Sequence, residues 1–139
     1  MLWSRGNNRK KFELNAYIYA DRHDRLCETF NEYSHRSFGL GKSGFPGNND
    51  SGGLSSLFVR NTPGLYPVSG SGNMLIGAPQ INSAEIFSLH NGKRLNIRAE
   101  SGGADIYVDS VEFNGRAVTD YRITIKELMN CGSLYVKLK

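Results

Sequence analysis

A chain of 139 residues has room for one domain, or for a small domain with an appendage. Its 39% hydrophobic and 22% charged content is that of a globular protein, not of a disordered or membrane-spanning one. No apolar run reaches the length of a transmembrane helix, and Met1-Leu2-Trp3-Ser4-Arg5-Gly6 lacks the apolar core and cleavage site of a signal peptide. The net charge of +4 is spread evenly, with 8 basic and 6 acidic residues up to Asp50 and 9 and 7 beyond it, so the chain has no concentrated footprint for nucleic acid.

Residues 1–10 are polar and basic and read as disordered; the cluster Arg5, Arg9, Lys10, Lys11 fits a solvated terminus. A mixed apolar stretch follows from Phe12 to Ala20. Asp21-Arg22-His23-Asp24 then reads as a helix start, with Asp21 or Asp24 as the cap. Leu26, Cys27, Phe30 and Tyr33-Ser34 recur at helical spacing, which predicts an amphipathic helix of about three turns. Phe38-Gly39-Leu40-Gly41 closes it.

Gly44-Phe45-Pro46-Gly47-Asn48-Asn49-Asp50-Ser51-Gly52-Gly53 comes next. Glycine and proline at that density mark a tight loop with unusual backbone angles. Asn48, Asn49 and Asp50 are all able to cap a helix beginning near Ser51, and Asp50 would then stand beside unpaired N–H groups that favour its ionised form. On local pattern alone, a surface loop with an aspartate cap is the plainer reading.

Leu54, Leu57 and Phe58 predict a second helix, which Pro63 must kink or end, with Gly64 as a suitable stop. Leu65–Val68 is extended, and Ser69–Gly72 reads as a flexible link. From Met74 the period changes to two. Arg94–Ala99 and Leu134–Lys139 alternate polar and apolar residues. Asn91-Gly92 and Asn114-Gly115 predict hairpin turns of type I′. In Ile106–Phe113 the apolar phase slips between Val108 and Val111, which predicts a bulge near Asp109-Ser110. Ile125–Asn130 suits a short helix before the last strand. The pattern is α+β, with a helical first half followed by an antiparallel β-segment.

Cys27 and Cys131 do not make a disulfide framework, and no Cys-x-x-Cys or His-x-x-x-His spacing supports zinc. His23, His35 and His90 are scattered and read as ordinary surface or partly packed histidines.

Several of these stretches together resemble the C-terminal portion of glycoside hydrolase family 92 α-mannosidases. They are Gly47–Ser56, Gly64–Val68, Leu75–Pro79, Asn91-Gly92-Lys93, Ile106–Gly115 and Leu128–Leu134, in that order and at near-family spacing. Tyr19–Asp24 is similar to the family's Tyr-Ala-Gly-Arg-Pro-Asp. The resemblance runs from about Tyr17 to the end. It implies a chain divided into an unmatched 1–16, a 17–72 part holding the last helices of an (α/α)6 catalytic barrel, and a 73–139 antiparallel β-segment.

The resemblance also implies an exo-acting, calcium-dependent, inverting α-mannosidase acting on mannose-containing glycans. Asp50 falls on the family's general base, the carboxylate that takes a proton from the attacking water. Asn48 occupies the preceding motif position and is a candidate sugar contact. The family's general-acid glutamate lies upstream of the matched portion, so the chain alone is expected to be inactive and to hold calcium poorly. Metal ligands within it are not identified. At Leu57-Phe58-Val59-Arg60 the family commonly has Trp-Tyr-Val-Trp, and at Thr62-Pro63 a continuous helix.

Two further expectations follow. Apolar helix faces at Leu54, Leu57 and Phe58 would lack partners, which favours self-association. The alternative function is a non-catalytic carbohydrate-binding β-module, with Tyr107, Tyr121 and Tyr135 as exposed stacking platforms. No membrane or nucleic-acid partner is expected. Full-length members of the family are often secreted or periplasmic.

Overall fold

The computed structural model describes residues 16–42, 44, 45, 50–68, 70–100 and 105–139. The chain forms two compact units, Met1–Val59 and Arg60–Lys139. It is α+β, as the periodicities predict.

In the first unit, a helical stretch over 16–19 ends where Ala20 donates its N–H to the Ala16 carbonyl at 3.1 Å and Asp21 turns to φ 55°. Helix α1, His23–Ser37, follows. At 15 residues it runs about four turns, one more than expected. Leu26, Cys27, Phe30 and Ser34 are buried, while Arg25–Glu28 and Glu32–Arg36 pair on the other side at 2.7 and 2.6 Å. Neither Asp21 nor Asp24 is the cap. The cap position belongs to Arg22, which makes no side-chain cap bond. Its guanidinium instead donates to both oxygens of Asp24, at 2.9 and 2.6 Å. Asp21 ends the preceding turn, and Asp24 lies inside the first turn of α1, where a negative charge suits the helix dipole.

Helix α2, Gly53–Asn61, ends ahead of Pro63 and is not broken by it. The Gly64 N–H donates to the Asn61 carbonyl at 2.9 Å, and Gly64 holds φ 78°, a value glycine adopts without Cβ strain. The cost of about 3 kcal/mol for a proline inside a helix is therefore not incurred.

Strands β1 (Leu65–Val68) and β2 (Asn73–Ile76) pair antiparallel, with Val68 opposite Asn73. The segment expected as a flexible link therefore connects two paired strands. Its turn is closed by Ser71, whose hydroxyl donates to the Val68 carbonyl at 3.0 Å and accepts from the Asn73 N–H at 3.1 Å. Beyond β2, a Cβ on Gly77 would lie 2.5 Å from Cε2 of the buried Tyr66 ring, so no larger residue fits without displacing it.

The larger sheet contains β3 (Ser83–Phe87), β4 (Arg94–Glu100), β5 (Val108–Phe113), β6 (Arg116–Ala117) and β8 (Gly132–Leu138), in the order β3-β4-β8-β5-β6. β7 (Arg122–Thr124) joins β2 instead. One face carries the core: Leu95, Ile97, Val108, Val111, Phe113, Leu134, Val136 and Leu138 are all buried. The β5–β8 register shifts between Val108 and Ser110, at the bulge the apolar phase slip predicts.

The sheet is mixed, not antiparallel throughout, because β8 runs parallel to β4 with Ile97 opposite Leu134. Alternation assigns residues to faces and says nothing of strand direction. The long connection between these strands permits the parallel pairing. Asn114 and Gly115, at φ 51° and 78°, form the expected type I′ turn. The Asn91-Gly92 connection is longer: the Gly92 N–H reaches the Ser88 carbonyl at 2.9 Å, and of its two residues only Gly92 has positive φ. Helix α3, Ile125–Met129, is held by a complete capping box between Thr124 and Glu127.

Candidate active site

The candidate base loop lies in the first unit, between α1 and α2. Its entry is built on Phe38, which leaves α1 in extended conformation while its N–H still donates to the Ser34 carbonyl at 3.1 Å. The backbone then folds back. The Gly39 N–H donates to the Gly44 carbonyl at 3.0 Å, and the Gly44 N–H to the Gly41 carbonyl at 3.1 Å.

Aromatic rings hold the two ends together. The Phe38 ring meets Tyr33 edge-on at 5.8 Å and Phe45 edge-on at 5.9 Å, and lies tilted against Phe58 of α2 at 5.0 Å. Each separation is within the range in which ring pairs attract through their quadrupoles. Phe58 and Phe45 remain partly exposed. The Phe38–Phe58 contact thus spans the loop that carries the candidate residues.

Asp50 is the first residue of a single 3-10 turn, Asp50–Gly52. Ser51 sits at φ 53°, ψ 26° and Gly52 at φ 74°, both left-handed. The α-helix starts at Gly53, two residues past the expected start near Ser51, and two left-handed residues separate it from Asp50. For a serine this conformation costs roughly 1–2 kcal/mol, and such residues concentrate at functional sites. Asn48 lies outside the described residues.

The second unit has a shallow polar hollow of about 460 Å³, lined among others by Asn73, Arg116, Asp120, Arg122 and Glu127. Its glutamate is not poised to give up a proton. Bonds from the Thr124 hydroxyl and backbone, then the Arg116 guanidinium, hold its carboxyl below the usual range. The three tyrosines expected as exposed platforms are each half-buried. Tyr135 also donates its hydroxyl to Glu100.

Calcium needs several oxygen ligands around one point. Among the described residues, no group of three or more His, Cys, Asp or Glu side chains is placed to hold a metal ion.

Signals for the aromatic clasp were present in the sequence. Tyr33, Phe38, Phe45 and Phe58 bracket the glycine-rich stretch, but their spacing fits no single periodicity, and sequence reasoning missed them as a group.

Comparison with known proteins agrees with the motif reading. Residues 3–139 match the model of the glycosyl hydrolase family 92 catalytic domain. An uncharacterized secreted glycosidase of Arthroderma benhamiae is 27% identical over 136 residues, covering 96% of this chain and 18% of that protein. A family 92 α-mannosidase of Bacteroides thetaiotaomicron, solved in complex with mannoimidazole, superposes with a TM-score of 0.83 at 22% identity. The match covers 88% of this chain and 16% of that one. An inverting family 92 mannosidase of the same organism gives 0.70 at 23% identity, covering 81% and 16%. These two likenesses show a shared fold. The chain spans about a sixth of the length of the relatives it matches. With nearly every residue inside the family match and the fold shared with solved members, the chain belongs to glycosyl hydrolase family 92.

Proposed function

We propose that this chain is the part of a family 92 α-mannosidase that carries the general base, and that it releases terminal α-linked mannose with inversion only together with the rest of the catalytic domain. The observation that carries the reading is the Asp50 turn, at which two consecutive left-handed residues follow the aspartate inside a loop clasped by Phe38 and Phe58. That is a strained, anchored backbone at the position to which the motif resemblance assigns the family's base.

In this mechanism Asp50 accepts a proton from a water attacking the anomeric carbon, on the face away from the leaving oxygen. A second acid protonates that oxygen. In inverting enzymes the two carboxyls stand about 6.5–9.5 Å apart, which leaves room for the water. The acid comes from the remainder of the domain, as do the other helices of the (α/α)6 barrel and most of the calcium ligands. Asn48 contacts the sugar beside the base. The name of the secreted relative supports a site of action outside the cell.

The test uses this chain grafted in place of the matching segment of the solved α-mannosidase. We expect mannose release from an α-mannoside in the grafted enzyme and none from the chain alone. Asp50→Ala in the graft should lower turnover by about 10²–10⁴-fold, the range for loss of a general base. Full turnover in the Asp50→Ala graft, or turnover by the isolated chain, would overturn the proposal.

A further inference from the structure

We propose that the outer edge of β3, with Ile86, Phe87 and Leu89, is a seam at which the remainder of a family 92 catalytic domain adds an extended segment to the five-stranded sheet. The inference rests on reading the chain as part of such a domain.

β3 is an edge strand, pairing with β4 alone among the described residues. Two hydrogen bonds show which way its backbone faces. The Ala99 N–H donates to the Asn82 carbonyl at 2.8 Å, and the Ser88 N–H to the Lys93 carbonyl at 2.9 Å. Even-numbered residues are therefore turned toward β4. Ser83, Glu85 and Phe87 present their backbone groups outward, ready to accept another strand.

The side chains agree. Ile86 stands opposite Leu95 and Ala84 opposite Ile97, on the face where Leu95 and Ile97 are 5% and 1% exposed. Ile86 on that face is nevertheless 42% exposed; Phe87, opposite Arg94 on the other face, is 52% exposed, and Leu89, just past the strand, 92%. The apolar layer thus stops one strand short of the sheet's edge.

Natural edges are blunted by short length, proline, lysine or a bulge. β6, the opposite edge, is two residues long. β3 has five residues, no proline and no lysine, and pairs with β4 in unbroken register. Its one charge, Glu85, is engaged by Arg94 at 2.9 Å. The occupant follows from length: the chain covers 16% of the solved relative, so most of a family domain is available to supply the strand. Strand addition of this kind takes affinity from main-chain hydrogen bonds and specificity from alternate side chains.

Amide hydrogen exchange on the isolated chain and on the graft described above tests this. We expect the Ser83, Glu85 and Phe87 amides to exchange rapidly in the isolated chain and at least about tenfold more slowly in the graft. Ile86→Lys should leave the melting temperature of the isolated chain unchanged and lower that of the graft. Equal exchange in both settings, or equal melting temperatures for the Ile86→Lys graft and the parent graft, would overturn the proposal. Protection that rises with concentration of the isolated chain would assign the edge to a second copy and would also overturn it. Asp50→Ala leaves β3 protection in place, so this proposal and the catalytic one can fail separately.

Discussion

The Phe38 and Phe58 rings lie 5.0 Å apart, tying the end of α1 to the exposed side of α2 across the loop that holds Asp50. Phe38 is half-buried and also meets Tyr33 and Phe45. Phe38→Ala should therefore cost about 2 kcal/mol, below the 3–5 kcal/mol of a fully buried phenylalanine. Urea unfolding followed by circular dichroism measures it. Phe38→Leu, which keeps much of the apolar volume, should recover part of the loss. No change in midpoint for Phe38→Ala would mean the clasp holds nothing.

Gly77→Ala should destabilise the second unit by about 1–3 kcal/mol, the cost of forcing a methyl group into a packed site. The new Cβ would meet the Tyr66 ring at 2.5 Å. In the double variant Gly77→Ala, Tyr66→Leu the cost should shrink, because the flat ring that creates the clash is gone. Thermal melts of the single and double variants decide it.

Thr124→Ala removes the hydroxyl that accepts from the Glu127 N–H at 3.1 Å and donates to its carboxylate at 2.7 Å. Loss of such a cap costs about 1 kcal/mol. Serine at the same position restores the hydroxyl and should restore most of the stability. Equal melting temperatures for the alanine variant and the parent would show that α3 is held by packing alone.

The Asp24 carboxyl is lowered from its ordinary 3.8 to about 2, first by its hydrogen bond from the Arg22 side chain. A depressed folded value means the unfolded chain binds the proton more tightly. The pair's contribution is therefore present above the ordinary carboxylate value and is lost as pH falls from there through about 2. Both side chains are roughly half-exposed, so solvent screening keeps the effect small. The parent should melt above Asp24→Asn at about pH 5, and the gap should close on acidification. A gap independent of pH would contradict this assignment.

Local chemistry was legible where one residue type permits few conformations. Pro63 and Gly64 mark the end of α2, Asn114-Gly115 makes its turn, and the apolar slip across Asp109-Ser110 locates the bulge. The start of α1 departs from the expected cap because Asp24 falls inside the first turn, paired with Arg22, and Asp21 ends the preceding turn. The Asn91-Gly92 turn is longer, and there Asn91 uses its side chain to donate to the Met129 carbonyl at 2.6 Å and to accept from the Lys93 N–H at 3.0 Å.

By itself the sequence determined the α+β class, most helix and strand positions, the family, and the loop that carries Asp50. These depend on periodicity, turn chemistry and ordered motifs, all of which are local along the chain. Tertiary structure alone decided that β8 runs parallel to β4, that Phe38 and Phe58 meet across the loop, and that β3 stands at the edge of its sheet among the described residues. Each of these joins residues far apart in sequence, and alternation or helical spacing carries no information about which distant partner a face will find.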